Sequence, residues 1–453
     1  MLIRARWLLP IVAPPLENGA VVARGSDLAA VGRSADLRAR FPAEPLLDLG
    51  EAALLPGFVN AHSHLDYTAL RGLLDDLPFV RWIRELTRLR REVMTDAELL
   101  SSARWGAIEA LRSGVTTLAD TSASGAACRA MSALGLRGIA YQETFGLDDA
   151  DAAAGERRLL EGLERLHAWA SPLVRPGVHA HAPYTVGPAL FRACARVARE
   201  GRLPLSVHLA ESAAEVALLA DGGGELAGWA RRFGPGWRPP GSGPVRYLDA
   251  LGVLEARPLL AHLVQADDTD AALLAREGAS VAHCPKSNAK FGHGIAPLAA
   301  LRRAGVAVGL GSDGMGSNDV MDPFEEMRAA ALLARARERE FAALSAAEAL
   351  ELATLGGARA LGLADEIGSL EAGKRADLTG VALTGAHLAP LGDPCAALVF
   401  AAHQTDVCFT MVHGRVLFDG ARVTSADEAQ ARREIVALGQ TLARARGAPP
   451  PAP

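Results

Sequence analysis

Eight short runs rich in Val, Ile and Leu recur along the middle of this chain. They are Leu54–Asn60, Val115–Asp120, Gly138–Glu143, Gly177–His181, Leu205–Leu209, Leu259–Leu263, Ser280–Cys284 and Val306–Ser312. Between them lie longer Ala/Leu/Arg/Glu stretches at helical period, such as Ala97–Ser113, Ala189–Arg199 and Thr269–Glu277. Apolar runs alternating with helices make a parallel sheet. Eight is also the number of strands that closes a (β/α)8 barrel, whose functional groups stand at the C-terminal strand ends. The expected fold class is therefore α/β, a (β/α)8 TIM barrel over residues 55–365. A chain of 453 residues, half of them hydrophobic, has room for such a barrel and an accessory domain.

The flanks have another texture. Residues 1–54 and 366–425 show strand alternation and turns (Glu17-Asn18-Gly19, Arg24-Gly25-Ser26) with little helix. They are expected to form the two halves of one small composite β-sandwich. Residues 426–453 are read as a C-terminal helix and a disordered tail ending APPPAP. The stretches at 222–224 and 234–244, GGG and GPGWRPPGSGP, look like a long insertion after the fifth strand. A long loop at a barrel's functional face shapes a pocket.

Composition excludes several classes. A net charge of −5 argues against a nucleic-acid surface. The first apolar stretch, Trp7–Val12, is short and interrupted by Pro10, so it reads as the start of a folded domain rather than a leader or anchor. The five cysteines have no CxxC spacing and read as reduced thiols. A soluble cytoplasmic protein with a small-molecule substrate, no nucleic acid and no membrane is the expectation.

Ionisable residues stand at the strand ends in unusual number. The first strand leads to His62 and His64, which an extended chain points to one face. The fourth ends with His179 and His181, and the fifth with His208 followed by Glu211. The sixth carries His262, the seventh His283, and the eighth Asp313. An inward polar group in an apolar barrel costs several kcal/mol unless something pairs with it, about 1–3 by mutational measures and more for a charge. One divalent metal is the simplest partner. The proposed ligands are His62, His64, His208 and Asp313, a set that suits Zn²⁺ first and Fe²⁺ in a related site. A water on such an ion has a pKa of about 7. Glu211 is expected beside that water as proton acceptor and donor, with His262 across it.

PGFVNAHSHLD, HAPYT, HLAES, HCPKSN, GSDGMGSN and IGSLEAGKRADL together resemble the amidohydrolase superfamily, in its chlorohydrolase and aminohydrolase branch. The resemblance spans about residues 1–420, with motifs in order. It implies a barrel with a composite sandwich, and hydrolytic deamination of an aminated heteroaromatic ring. It also implies a mononuclear metal, since the fourth strand lacks the lysine that often bridges two metals. By the same resemblance Glu211 protonates a ring nitrogen, metal hydroxide attacks the amine-bearing carbon, and Asp313 takes the remaining proton as ammonia leaves. HAPYT is similar to adenosine-type members and makes His181 a substrate contact. DDLPFVRWI resembles their capping loop and offers Trp82. Members acting on homocysteine-bearing substrates show an arginine after the third strand, where this chain has YQETFG, with Gln142 and Glu143. That stretch, HSHLD and the insertion look closer to aminofutalosine deaminases. The substrate class is thus an aminated purine nucleoside of the aminodeoxyfutalosine or methylthioadenosine type. The alternatives are loss of chloride or alkylamine from a triazine-like ring, or a non-catalytic barrel. Dimers are common in the branch, though no apolar stripe here demonstrates a homodimer.

Other residues carry weaker expectations. Gln142 and His283 are placed at the pocket as substrate contacts. His179 is read as a packed strand residue. His293 is divided between pocket and solvent, as Lys286, Ser287 and Asn288 are between hydrogen bonding and plain loop structure. Asp66 and Tyr67 are divided between substrate and turn. His167, His387, His403 and His413 are bystanders, and Cys284 a packing thiol.

Overall fold

The computed structural model describes residues 1–447. Eight barrel strands follow in chain order: β1 (Phe58–His64), β2 (Val115–Ser122), β3 (Arg137–Thr144), β4 (Val174–Ala180), β5 (Leu205–Leu209), β6 (Leu259–His262), β7 (Ser280–His283) and β8 (Ala307–Leu310). All are parallel, each beside its successor. The short strand Asp313–Gly314, which continues the β8 segment, pairs with Ser63 and His64 of β1. The two ends of the sheet are therefore consecutive pieces of one chain segment, and the barrel closes.

The apolar runs become strands because both faces are covered. Every residue of β2 and β3 is buried, as a parallel sheet wrapped by helices requires. The helices start at side-chain caps. Thr95 and Glu98 form a reciprocal capping box on Asp96–Arg112, and Asp267 with Asp270 does the same on Asp268–Glu277. The latter helix ends at Gly278, whose φ of +71° suits glycine.

The expected strand Leu54–Asn60 is divided. Ala52–Pro56 joins the terminal sheet, antiparallel to Leu378–Ala382 and parallel to Leu2–Leu8, whereas β1 begins at Phe58. The crossing is at Gly57, where a Cβ would come 2.1 Å from the Thr116 side chain. A continuous apolar run hides this division, since both pieces are buried.

The terminal strands form one mixed sheet. Its order is Arg415–Phe418, Val407–Val412, Leu378–Ala382, Ala52–Pro56, Leu2–Leu8, Leu16–Arg24 and Asp27–Arg33, with Leu46–Asp48 also on Leu2–Leu8. Ile3, Leu8, Val21, Leu54, Leu378 and Phe409 fill its core. Glu428–Gly447 is a helix tied to Asp96–Arg112 by Arg112–Glu428 at 2.8 Å and Ser101–Glu434 at 3.2 Å. Residues 448–453 of the expected tail lie outside the described residues. The insertion after β5 is largely helical: Ala213–Asp221, Ala227–Phe233 and Pro244–Ala250. Among the described residues no helix is long and apolar enough to cross a membrane.

Barrel and terminal sheet are clamped by a buried ion pair. Arg137, which opens β3, donates from Nε to Asp377 Oδ2 at 2.6 Å, and Asp377 Oδ1 accepts from His413 N at 2.7 Å. Both side chains are under a tenth exposed. Breaking such a pair by removing one partner strands a buried charge. Asp377→Leu is expected to destabilise the fold by about 3–5 kcal/mol, read by urea denaturation. A loss under ~1 kcal/mol would show that the pair is not a clamp.

Candidate active site

The C-terminal ends of β1, β5 and β8 bring four donor atoms together. His208 Nε2 stands 3.2 Å from His62 Nε2 and 3.2 Å from His64 Nε2. Asp313 Oδ1 stands 3.4 Å from His62 Nε2 and 3.5 Å from His64 Nε2. Ligand atoms around a tetrahedral ion at about 2.1 Å lie roughly 3.4 Å apart, so these spacings suit a small divalent cation.

Hydrogen bonds on the far side of the rings settle which nitrogen is free. His64 Nδ1–H donates to Thr121 O at 3.0 Å, and His208 Nδ1–H to His181 O at 3.0 Å. Both Nε2 atoms are then lone-pair acceptors facing each other with no hydrogen between them. A cation between them would satisfy both, and carbonyl-anchored imidazoles are how metal sites fix their tautomer. Burial, first of all, also holds His62, His64 (to about 3) and His208 below the usual imidazole value, and so neutral. His179 reaches His208 Nδ1 at 3.1 Å, so this packed strand residue braces the cluster. Asp313 is aimed by two serines. Ser287 and Ser317 donate to its Oδ2 at 2.6 and 2.7 Å, which leaves Oδ1 for the cluster. Burial raises the Asp313 pKa, but the neighbouring histidines outweigh it and hold the carboxylate well below its usual value.

The sixth strand and the turn after the fifth add a second ionisable pair. Glu211 Oε1 lies 3.9 Å from His262 Nε2 and 3.6 Å from His293 Nε2. Burial raises its pKa to about 7, with His262 opposing and Asp313 adding. His262 Nδ1 donates to Asn288 Oδ1 at 3.0 Å. Burial lowers this imidazole's pKa, but the Glu211 and Asp313 carboxylates bring it above the usual value. The turn that carries Glu211 is held by Glu215, a fully buried carboxyl. It accepts from Ala210 N and Glu211 N, each at 2.9 Å. Ala210, His262 and Asp313 all have positive φ (52°, 78° and 59°). Non-glycine residues in that region are strained, and such strain gathers at functional sites.

A cavity of about 720 Å³ opens onto this cluster. Trp82, His181, Glu211, His262 and Asp313 line it. Trp82 belongs to the helix Phe79–Glu92 rather than to a loop, and its Nε1 donates to Gly316 O at 3.0 Å. His181 Nδ1 pairs with Thr185 Oγ1 at 2.6 Å. Tyr67 lines the cavity and stacks on His64 at 5.4 Å, whereas Asp66 accepts from Ser122 and Ser124 and supports the turn.

Two expected pocket residues are placed elsewhere. Gln142 turns into the helix layer, where it fills the space beside Gly162 and donates to Ala123 O and Glu143 O. Its neighbour Glu143 faces the cavity instead, because adjacent strand residues point to opposite faces. His283 is buried with an unpaired Nδ1 and does not line the cavity. His293, by contrast, is brought inward beside Phe79 at 4.7 Å and toward Glu211. The aspartate-aiming Ser287, the turn-holding Glu215, and the cavity-lining Trp229 and Arg232 of the insertion also gather here.

An eight-stranded barrel whose strand ends converge imidazoles and carboxylates on one cavity has the architecture of a barrel enzyme. The model of the amidohydrolase family matches residues 53–417. The chain belongs to the amidohydrolase family, whose members are metal-dependent, and is a hydrolase acting on C–N bonds. It is 38% identical over 419 residues to a 5-methylthioadenosine/S-adenosylhomocysteine deaminase of Nitratidesulfovibrio vulgaris (strain Miyazaki F), covering 91% of this chain and 90% of that one. A Syntrophobacter fumaroxidans protein of the same name is 35% identical over 428 residues, 94% of each chain. A zinc-bound adenosine deaminase from Xanthomonas campestris superposes with a TM-score of 0.86 at 31% identity, covering 97% of this chain and 98% of that one.

Glu215→Leu leaves the Ala210 and Glu211 N–H groups buried without acceptors. The expected cost is about 1–3 kcal/mol for each orphaned donor, read by chemical denaturation. A stability equal to that of the parent would show that water replaces the carboxylate.

Proposed function

We propose that this chain is a deaminase of adenine nucleosides, dependent on one divalent metal held by His62, His64, His208 and Asp313, zinc before iron. The observation that carries the reaction type is Glu211. It lines the cavity with three of the four donor residues, His64, His208 and Asp313, faces His262, and has a pKa near the pH at which it would work. The nucleoside is supported by the two relatives named for methylthioadenosine and S-adenosylhomocysteine, and by the adenosine deaminase that shares the fold.

When bound, the ion lowers the pKa of a water and so makes a nucleophile available near neutral pH. The chain's own groups account for the protons. Glu211 takes one from the attacking water and delivers it to the ring nitrogen next to the amine-bearing carbon. His262, whose Nδ1–H is fixed by Asn288, presents Nε2 to the same space and steadies the developing charge. Asp313, its Oδ2 tied to Ser287 and Ser317, accepts the second proton at Oδ1 and returns it to the leaving amine. Water and the aminated ring become the ring carbonyl and ammonia, with no other reactant.

Ammonia release from methylthioadenosine, S-adenosylhomocysteine, aminodeoxyfutalosine and adenosine tests this on zinc-loaded protein. Turnover of at least one is expected, and none from any would refute the nucleoside. Glu211→Gln should lower kcat about 10²- to 10⁴-fold, the usual worth of a general acid–base, with zinc content unchanged. Near-parental activity in that variant would point instead to a leaving group that needs no ring protonation, as in loss of chloride from a triazine. Ser287→Ala together with Ser317→Ala frees Asp313 Oδ2 and should weaken zinc affinity about 10- to 100-fold, read by competition with a chelator. Undiminished affinity would show that the serines do not aim Asp313 at the ion.

A further inference from the structure

The outer half of the cavity is far more cationic than the chain as a whole. Arg84, Arg90 and Arg91 from the helix Phe79–Glu92, and Arg232 from Ala227–Phe233, all line it. Among the described residues none of these four has an ion pair or hydrogen bond; Arg232 only covers the Phe233 ring, at 5.3 Å. Arg88 also lines the cavity but is already matched by Glu85 and Glu92. Besides Glu211 and Asp313, the carboxyls lining the cavity are Glu92, Asp151 and Glu143, the last 3.9 Å from His181 Nε2. Glu92 faces Arg88 at 3.5 Å, and neither Glu143 nor Asp151 pairs with an arginine.

Arg90 stands out among the four because it is half-buried, whereas Arg84, Arg91 and Arg232 are exposed. Its charge acts on Tyr67, Asp66, Glu143 and Asp96, yet none of them approaches to ion-pair distance. Tyr67 in turn stacks on His64. Arg90 lines the same cavity as Tyr67 and His64, about two helical turns beyond Trp82, where it can meet the part of a substrate remote from the reacting ring. A half-buried guanidinium with no protein partner keeps its donors free for a ligand, and a fork of five donors is matched best by a carboxylate or phosphate.

We propose that Arg90 binds an anionic group on the substrate's end remote from the ring, with Arg232 supplying a second positive charge at the mouth. The inference rests on the nucleoside reading and assigns its selectivity. The third strand offers no cation for this purpose, since it ends in Gln142, Glu143 and Thr144. The charge comes instead from the helix that lies across the barrel mouth. Arg90 is a specificity residue: it acts through affinity for one end of the substrate and takes no part in proton transfer.

The test compares 5′-methylthioadenosine with its 5′-carboxyalkylthio analogue, which adds a carboxylate, and with adenosine 5′-monophosphate. The zinc-loaded protein should show a higher kcat/KM for a carboxylate or phosphate nucleoside than for the neutral one, and the preferred anion names the group. In Arg90→Gln the ratio of anionic to neutral kcat/KM should fall about 10- to 100-fold, the worth of a hydrogen-bonded charge, mainly through KM. Arg90→Lys should keep most of the ratio, and Arg232→Gln should lose a smaller part. A parental protein that prefers the neutral nucleoside, or a ratio that Arg90→Gln leaves intact, overturns the proposal. Should Arg90→Gln not fold, the parental preference and Arg232→Gln still decide it. No ammonia from any of the three would refute the nucleoside reading itself.

Discussion

Three imidazole nitrogens and a carboxylate oxygen held 3.2–3.5 Å apart are a concentration of lone pairs. Inside a barrel such a cluster is unstable unless positive charge stands between its members. At the His64–His208 contact backbone carbonyls bond the opposite ring nitrogens, and burial disfavours a second proton on either ring. The surrounding packing keeps the lone pairs together. β1 contributes two histidines two residues apart, β5 a third, and the chain that closes the barrel contributes Asp313. Closure and site formation are one event, since Asp313 is itself the residue that pairs with Ser63.

The same enclosure separates the two carboxyls. Glu211 and Asp313 share a cavity, yet their pKa values move in opposite directions. Burial dominates at Glu211 and raises it, whereas three histidines at Asp313 overcome burial and lower it. Groups pushed apart in this way can divide acid and base roles at one pH. The positions are maintained against local strain. Ala210, His262 and Asp313 each adopt left-handed backbone, at a cost on the order of 1–3 kcal/mol apiece. Glu215, Asn288, Ser287 and Ser317 supply the hydrogen bonds that offset it.

Much of this was legible in the sequence, because strands buried on both faces read as uninterrupted apolar runs and a barrel puts its chemistry at their ends. His62, His64, His208, Glu211, His262 and Asp313 all followed from that rule. The rule fails where one residue of register decides. Gln142 and Glu143 are equally polar neighbours, and only the pleat shows that the second faces the cavity. His283 sits at a strand end like the others but is turned from the cavity, and nothing in its neighbours signals the turn. The boundary at Gly57 was hidden inside an apolar run. His293, Ser287 and Glu215 depend on loops whose path only tertiary packing sets. The glycine- and proline-rich insertion read as loop because its short helices gain their stability from packing against the barrel, not from propensity.

The division of labour follows from these same constraints. Groups that handle protons need fixed distances, so they stand on strand ends locked into the closed sheet. The groups proposed to choose the substrate need only border the cavity, and they sit on separate elements: Trp82 and Arg90 on one helix over the mouth, Arg232 on another within the insertion. Phe79 and Trp82 anchor the first of these helices to the loop after β7 through Phe291, at 5.3 and 4.9 Å. Charge on that helix can therefore change without disturbing the ligand cluster below it. A barrel built this way can keep one reaction while the helices across its mouth set which end group the substrate must carry.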